Sequence, residues 1–302
     1  MINFMNSDCK FFHLLSLLLL AALSHCVMAE AQCTACHSMN ASKSSHSLTP
    51  TVRGDENSRN ESSGCVSCHG ASIAHLGNPI EESPDIPFSS RKNMDETGDH
   101  AVKWNNQCLA CHKKNTRHWE ASAHAQEDMT CNACHRIHES INQITINISQ
   151  ADTCGRCHQK VRKEFLLPSR HPLNEKEMSC TDCHSPHGSL SSSQLKEVTT
   201  NATCLNCHEA QRGPFIFDHP PASEDCLSCH KPHGSIHKPL LTSRGPQLCQ
   251  QCHMANFHPS NLEAGGGLPG KRPSASLLGR NCMNCHPKIH GSNHPSGARL
   301  TK

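Results

Sequence analysis

Aromatic side chains are almost missing from this chain: no Tyr, two Trp and eight Phe in 302 residues. A domain of that length ordinarily fills its interior with aliphatic and aromatic side chains. Here the hydrophobic residues together reach only 35%, and Cys is a large part of that. A conventional core is therefore excluded unless something other than side chains supplies apolar volume. Charge of one sign is missing too. The 28 Lys and Arg nearly cancel the 26 Asp and Glu, leaving +2, so no basic footprint points to nucleic acid. Beyond the N-terminus no apolar run is long enough to span a bilayer. Full disorder would suit the polarity but not the cysteine content. A disulfide scaffold suits small secreted chains and needs no excess of His. What the chain has in abundance is 22 Cys and 26 His.

The N-terminus carries the one long apolar run, Phe11 to Leu23, broken by His13 and Ser16 and preceded by Lys10. Its 13 residues are too few for an ordinary transmembrane span and fit the central region of a signal peptide. Val27-Met28-Ala29 places small residues where a signal peptidase needs them, so residues 1–29 are expected to leave. An uncleaved anchor is the alternative. Lipoprotein processing at Cys26 is opposed by the bulk of His25. Cleavage after Ala29 leaves 273 residues and 20 Cys.

All twenty fall into Cys-x-x-Cys-His, which occurs ten times. In chain order the motifs are Cys33-Cys36-His37, Cys65-Cys68-His69, Cys108-Cys111-His112, Cys131-Cys134-His135 and Cys154-Cys157-His158. They continue with Cys180-Cys183-His184, Cys204-Cys207-His208, Cys226-Cys229-His230, Cys249-Cys252-His253 and Cys282-Cys285-His286. Below they are motifs 1 to 10. Two thiols can add to the two vinyl groups of a haem, and the next imidazole can bind the iron from the same side. Positions i, i+3 and i+4 share one face of a helical turn, so a single turn presents all three groups. This is the attachment signature of c-type haem. Zinc ribbons and redox dithiols use paired Cys but do not require His after every second one.

Each iron then needs a sixth ligand. Outside the motifs and the leader stand fourteen His: His46, His75, His100, His118, His124, His138, His171, His187, His219, His233, His237, His258, His290 and His294. Ten bis-His haems need ten, so His is in surplus and Met ligation, which raises the potential, is not required. His100 and His237 are expected to be non-ligands. From Cys108 to Cys249 the motifs recur about every 23 residues. His171-Pro172 precedes motif 6 as His219-Pro220 precedes motif 8, and His124 precedes motif 4. His138, His187 and His233 each lie three residues past a proximal His. Such a His cannot share the iron of its own motif and is expected to reach a neighbouring haem.

Between motifs, Pro and Gly (35 together) break the chain into short helices and loops. Ile144-Thr145-Ile146-Asn147-Ile148 alternates like a strand, or forms a flap over a haem. Residues 38–64, 77–106 and 259–281 are longer polar interruptions. The expected fold class is a multihaem cytochrome c: mostly loops and short α-helices around ten c-type haems, with little β. The porphyrins supply the apolar volume that the side chains do not.

Several runs outside the haem motifs carry a resemblance: CVSCHGASIAH (Cys65–His75), HWEASAH (His118–His124) followed by CNACHRIH (to His138), GPFIFDHPPASEDCLSCHKPH (Gly213–His233), QLCQQCHMANFHP (Gln247–Pro259) and GRNCMNCHPKIHGSNHPSG (Gly279–Gly297). In these the chain resembles the decahaem c-type cytochromes of outer-membrane porin–cytochrome conduits, the MtrA/DmsE type. The resemblance implies two pentahaem halves, 30–160 and 161–302, with distal ligands among His46, His75, His118, His124, His138, His171, His187, His219, His233, His258, His290 and His294. It implies a periplasmic protein associated with the outer membrane, seated in a β-barrel porin. It would take electrons from, or give them to, a periplasmic or inner-membrane cytochrome and an extracellular multihaem cytochrome. The stretch before Cys65 and the segment after His75 depart from the family pattern. A soluble periplasmic carrier serving a terminal reductase would have the same motifs. A catalytic haem would need an open iron site, for which the surplus of His and the absence of Tyr leave no sign.

Overall fold

The computed structural model describes residues 65–88, 99–253 and 280–302, together with Cys33, Cys36 and His37. The expected leader, His46 and His258 lie outside the described residues. The described residues fall into two compact units. One holds the residues up to Arg117 and 124–145; the other holds 118–123 and the residues from Ile146 onward.

Both units are built from short helical segments. The longest described helix is Asp99–Leu109, and the others have four to six residues. Isolated helices this short are unstable in water, so each depends on local hydrogen bonds and on what packs against it. Among the described residues there is no strand, only isolated antiparallel bridges such as His184 with Leu195 and His230 with Leu241. The alternation in 144–148 does not make a strand. Gln143–Thr145 and Asn147–Ser149 are two single 3₁₀ turns. Thr145 Oγ1 donates to the Asn142 carbonyl at 2.7 Å and Ser149 Oγ to the Ile146 carbonyl at 3.1 Å. These back-bonded hydroxyls offer the backbone turns in place of a ladder. No described helix is long and apolar enough to cross a membrane.

Motifs 3, 5, 7 and 9 begin in the last turn of a preceding helix: Asp99–Leu109, Gln150–Cys154, Thr200–Leu205 and Gly245–Gln250. Motifs 4, 6, 8 and 10 each open a turn of their own: Cys131–Ala133, Cys180–Cys183, Cys226–Ser228 and Cys282–Asn284. The last three of these turns are capped by nearby side chains where their first N–H groups lack partners. The Asp182 carboxylate accepts from Ser179 N–H at 2.7 Å, Asp225 from Leu227 N–H at 2.9 Å and Asn281 from Met283 N–H at 3.2 Å. Replacing Asp225 with Ala should lower the unfolding free energy by about 1 kcal/mol, read as a shift of the urea midpoint at unchanged haem content.

The protein interior is small. Among the described residues, the buried apolar side chains are Ile86, Ala101, Trp104, Trp119, Leu173 and Leu241. Large apolar side chains such as Ile80, Leu166, Leu190 and Ile216 are exposed by 70% or more. They stand on the surface rather than in an interior. This is the side-chain counterpart of the missing aromatics.

Candidate haem-attachment site

Every described motif closes the same turn. The N–H of the motif His donates to the carbonyl of the first Cys at 2.9–3.0 Å in motifs 1, 3, 4, 5, 6, 7, 8, 9 and 10, and motif 2 lies wholly within helix Cys65–His69. That i+4 bond puts both Cys and the His on one face, the arrangement that attachment to one porphyrin requires. None of the described motif cysteines is in a disulfide.

The motifs are strung in order. The first cysteines of successive motifs hydrogen-bond in pairs: Cys108 with Cys131, Cys154 with Cys180, Cys204 with Cys226, and Cys249 with Cys282. Between these pairs the second cysteines face the next motif. Cys68 lies within electrostatic range of Cys108 and Cys111, Cys183 of Cys207, and Cys229 of Cys252. In the first unit the sequence of neighbours runs motif 2, 3, 4. In the second it runs unbroken from 5 to 10. The thiols record the crowding. Burial, followed by the Cys226 charge, pushes the Cys204 thiol up to about 11. Burial, followed by the Cys282 charge, pushes Cys249 up to about 11. The hydrogen bond from Cys154 draws Cys180 down to about 7.

Histidines meet across gaps of constant width. Ring centroids lie 6.1 Å apart in His37–His75, 6.0 Å in His69–His138, 6.2 Å in His171–His208, 6.1 Å in His184–His233, 6.1 Å in His219–His253 and 6.2 Å in His230–His290. Two imidazoles bound head-on to one metal, with bonds of about 2.0 Å and ring radii of about 1.15 Å, would put their centroids roughly 6.3 Å apart. The donor set therefore fits an iron between each pair, and every pair joins one motif His to one non-motif His. The other ring nitrogen is tied back. Nδ1 meets a backbone carbonyl in His69 (Ile86, 2.8 Å), His75 (Glu82, 2.7 Å), His171 (Pro232, 2.8 Å), His184 (Ser193, 3.0 Å), His230 (Pro239, 3.0 Å) and His286 (Arg299, 2.7 Å). A carbonyl only accepts, so Nδ1 carries the proton and Nε2 keeps its lone pair for a metal. Burial also pushes the His230, His233 and His290 pKa values below the ordinary imidazole range, favouring the neutral ring that ligation needs.

Three of the non-motif His sit against a close backbone or ring approach. A Cβ on Gly188 would come within 2.2 Å of the His118 carbonyl, one on Gly234 within 2.0 Å of the Glu164 carbonyl, and one on Gly291 within 2.2 Å of the Phe215 ring. The preceding residue in each case is His187, His233 or His290. The His187 ring packs 6.2 Å from Trp119, and His233 packs 5.5 Å from Phe165. The glycine after the His is thus where another segment locks the imidazole in place. Its role is missed by a reading that counts only Cys and His.

The remaining candidates separate by their surroundings. His294 Nδ1 accepts the Ser296 N–H at 3.2 Å and lies 2.9 Å from Ser296 Oγ. Its proton then sits on Nε2, and the ring serves its own turn. His118 lines a small cavity with Ser185, Gly188 and Leu190. His100 packs 6.1 Å from Trp104 on helix Asp99–Leu109. His237 is held through its backbone, N–H to Ser235 Oγ at 2.9 Å. His124 lies in helix Ala123–Gln126. Asn142 Nδ2 lies 2.9 Å from His135 Nδ1, and the His112 carbonyl accepts from Thr116 Oγ1. His158 precedes helix Gln159–Glu164.

The family model Doubled CXXCH motif matches residues 123–163, 171–213 and 219–258. Each match spans one two-motif repeat. The chain is also 37% identical over 241 residues to the multiheme cytochrome MtrA of Shewanella baltica (strain OS185), covering 79% of this chain and 70% of that protein. The paired motifs mark a protein that binds haem c covalently, and it is an electron carrier rather than an enzyme. With repeated attachment turns, imidazoles paired across an iron-sized gap and this sequence identity, the chain belongs to the MtrA family of multihaem c-type cytochromes.

Proposed function

We propose that the chain carries ten haems in series and conducts electrons between the periplasm and the cell surface through an outer-membrane β-barrel. One observation supports the series: the cysteine-to-cysteine succession that brings motifs 2, 3 and 4 in the first unit, and motifs 5 to 10 in the second, each beside the next. Haems bound at such turns would be held close to one another. Each haem, when bound, supplies an iron that cycles between ferric and ferrous. The protein's own residues fix its position by two sulfurs, hold it between two neutral imidazoles and orient those imidazoles through Nδ1.

The ring pairs suggest a rule of ligation. Even motifs receive the His that follows the motif two further on: His138 for motif 2, His233 for motif 6 and His290 for motif 8. Odd motifs receive the His that precedes the motif before them: His171 for motif 7 and His219 for motif 9. His75 serves motif 1. Each distal ligand thus comes from a different repeat, so the haems tie successive repeats together. Of the twelve candidates for ten places, this reading sets His294 aside, which leaves one more of the twelve in surplus.

The porin, the extracellular cytochrome, the periplasmic or inner-membrane donor and cleavage after Ala29 belong to the same proposal, supported by the identity to MtrA. The mature holoprotein should show ten haems per chain by pyridine haemochrome assay, and should co-purify from detergent-solubilised outer membranes with a β-barrel. Release with the soluble periplasm and no barrel in the pull-down would sink the conduit and leave a soluble carrier.

A further inference from the structure

The paired first cysteines are not held by their own contact alone. Asn105, three residues before Cys108, accepts the Cys131 N–H through Oδ1 at 2.9 Å. Its Nδ2 donates to the Met129 carbonyl, also at 2.9 Å. Asn201, three residues before Cys204, does the same in the pair of motifs 7 and 8. Its Oδ1 accepts the Cys226 N–H at 2.8 Å, and its Nδ2 donates to the Ser223 carbonyl at 2.9 Å. Gln150, four before Cys154, uses one more methylene. Its Oε1 accepts the Thr181 N–H at 3.1 Å and the Thr181 hydroxyl at 2.9 Å. Asn105 is 5% exposed and Gln150 4%, so these amides face their partners rather than water. The fourth pair is built differently. Pro246 stands three before Cys249, and Gly245 leaves room for Asn281, whose Oδ1 would lie 2.4 Å from a Cβ there.

We infer that the carboxamides of Asn105, Gln150 and Asn201 are positioning residues that set the distance and tilt between the two haems of motif pairs 3–4, 5–6 and 7–8. The inference rests on the haem-series reading above. In each pair the odd motif ends a helix and the even motif begins a free turn. A helix and a turn joined only by a sulfur contact could slide past each other. An amide has a donor and an acceptor in one rigid plane. In Asn105 and Asn201 it bonds the even motif on both sides of its start, at the first Cys N–H and at a carbonyl two or three residues upstream. Both of these backbone groups would otherwise need another partner. The bonds lock the even turn in register with the helix end, and so fix one pair of thioether sulfurs relative to the other.

A bland alternative is that these amides merely satisfy buried backbone groups. The test separates the two. Holoprotein carrying Asn201→Leu is compared with wild type by pyridine haemochrome haem count, thermal unfolding and Soret circular dichroism. The paired, opposite-signed Soret bands arise from coupling between neighbouring porphyrins and change with their distance and tilt. Asn201→Leu should keep the full haem count and lose part of that paired signal. Asn201→Asp, which keeps the acceptor for Cys226 N–H but places an oxygen against the Ser223 carbonyl, should lose less. A wild-type paired signal in Asn201→Leu with full haem, whatever the fall in melting temperature, overturns the inference. If the Leu variant fails to load haem, the Asp variant decides, and a wild-type signal there overturns it equally. Fewer than ten haems in the wild type would strike the haem-series reading and leave the clamp to be judged on the Soret signal alone.

Discussion

A chain with Cys204→Ala and Cys207→Ala carries one haem fewer and conducts from end to end several orders of magnitude more slowly, while the remaining haems keep their spectra. The reason is order. Motif 7 lies within electrostatic range of motif 6 through Cys207 and Cys183, and pairs with motif 8 through Cys204 and Cys226. In a series, removing an interior member does not divert the current. It lengthens one hop by the width of a porphyrin, and electron tunnelling falls off exponentially with distance. The loss is local because His171, left without its haem, is anchored by its own Nδ1 bond to the Pro232 carbonyl at 2.8 Å. The measurement is single-molecule conductance of the holoprotein between two electrodes, alongside the haem count. Loss of one haem at undiminished conductance would show that current bypasses motif 7. The same pair of substitutions at Cys33 and Cys36, at one end of the order, should remove a haem while leaving conduction through the remaining nine.

Much of this site is legible in the sequence because the chemistry of attachment is local. Two sulfurs and an imidazole must lie on one turn, so Cys-x-x-Cys-His points to both the cofactor and the turn, and the i+4 backbone bonds of the motifs show the turn. The repeat also separates the upstream His, such as His171 and His219, from the downstream ones, such as His233. What the sequence leaves open is non-local. His230 meets His290 across sixty positions of chain, and no spacing rule read from one motif predicts that. The amide clamps are equally hidden. Asn105 and Asn201 look like ordinary polar helix residues, and Asn201 stands in a glycosylation sequon, until the backbone of the next motif is placed beside them. The reading of Ile144–Ile148 as a strand failed for a related reason. Alternation favours a strand only where a partner exists to complete its ladder, and here Thr145 and Ser149 bond back to their own turns.

Replacing His290 with Ala should convert one haem, that of motif 8, from low-spin to high-spin ferric, seen as a new EPR signal accounting for one haem per chain and reversed by added imidazole. His290 faces His230 at 6.2 Å with the ring planes 16° apart, and its removal leaves the iron one ligand short. Free imidazole fills the space that the side chain left, which a general unfolding would not allow. Gly291→Ala should produce part of the same signal without touching a ligand. Gly291 has φ +135°, a region that side chains with a Cβ rarely adopt, and the added methyl would lie 2.2 Å from the Phe215 ring. The conformational strain alone costs about 1–3 kcal/mol. The backbone can relieve it only by moving away from Phe215, and that carries His290 with it. Gly77→Ala, where nothing lies within 4 Å of the new carbon, should leave the spectrum unchanged. A His290→Ala protein that stays fully low-spin would mean that another side chain reaches the iron. His294, four residues on, would be the one to test, because reaching it would require breaking its bonds to Ser296 at 2.9 and 3.2 Å.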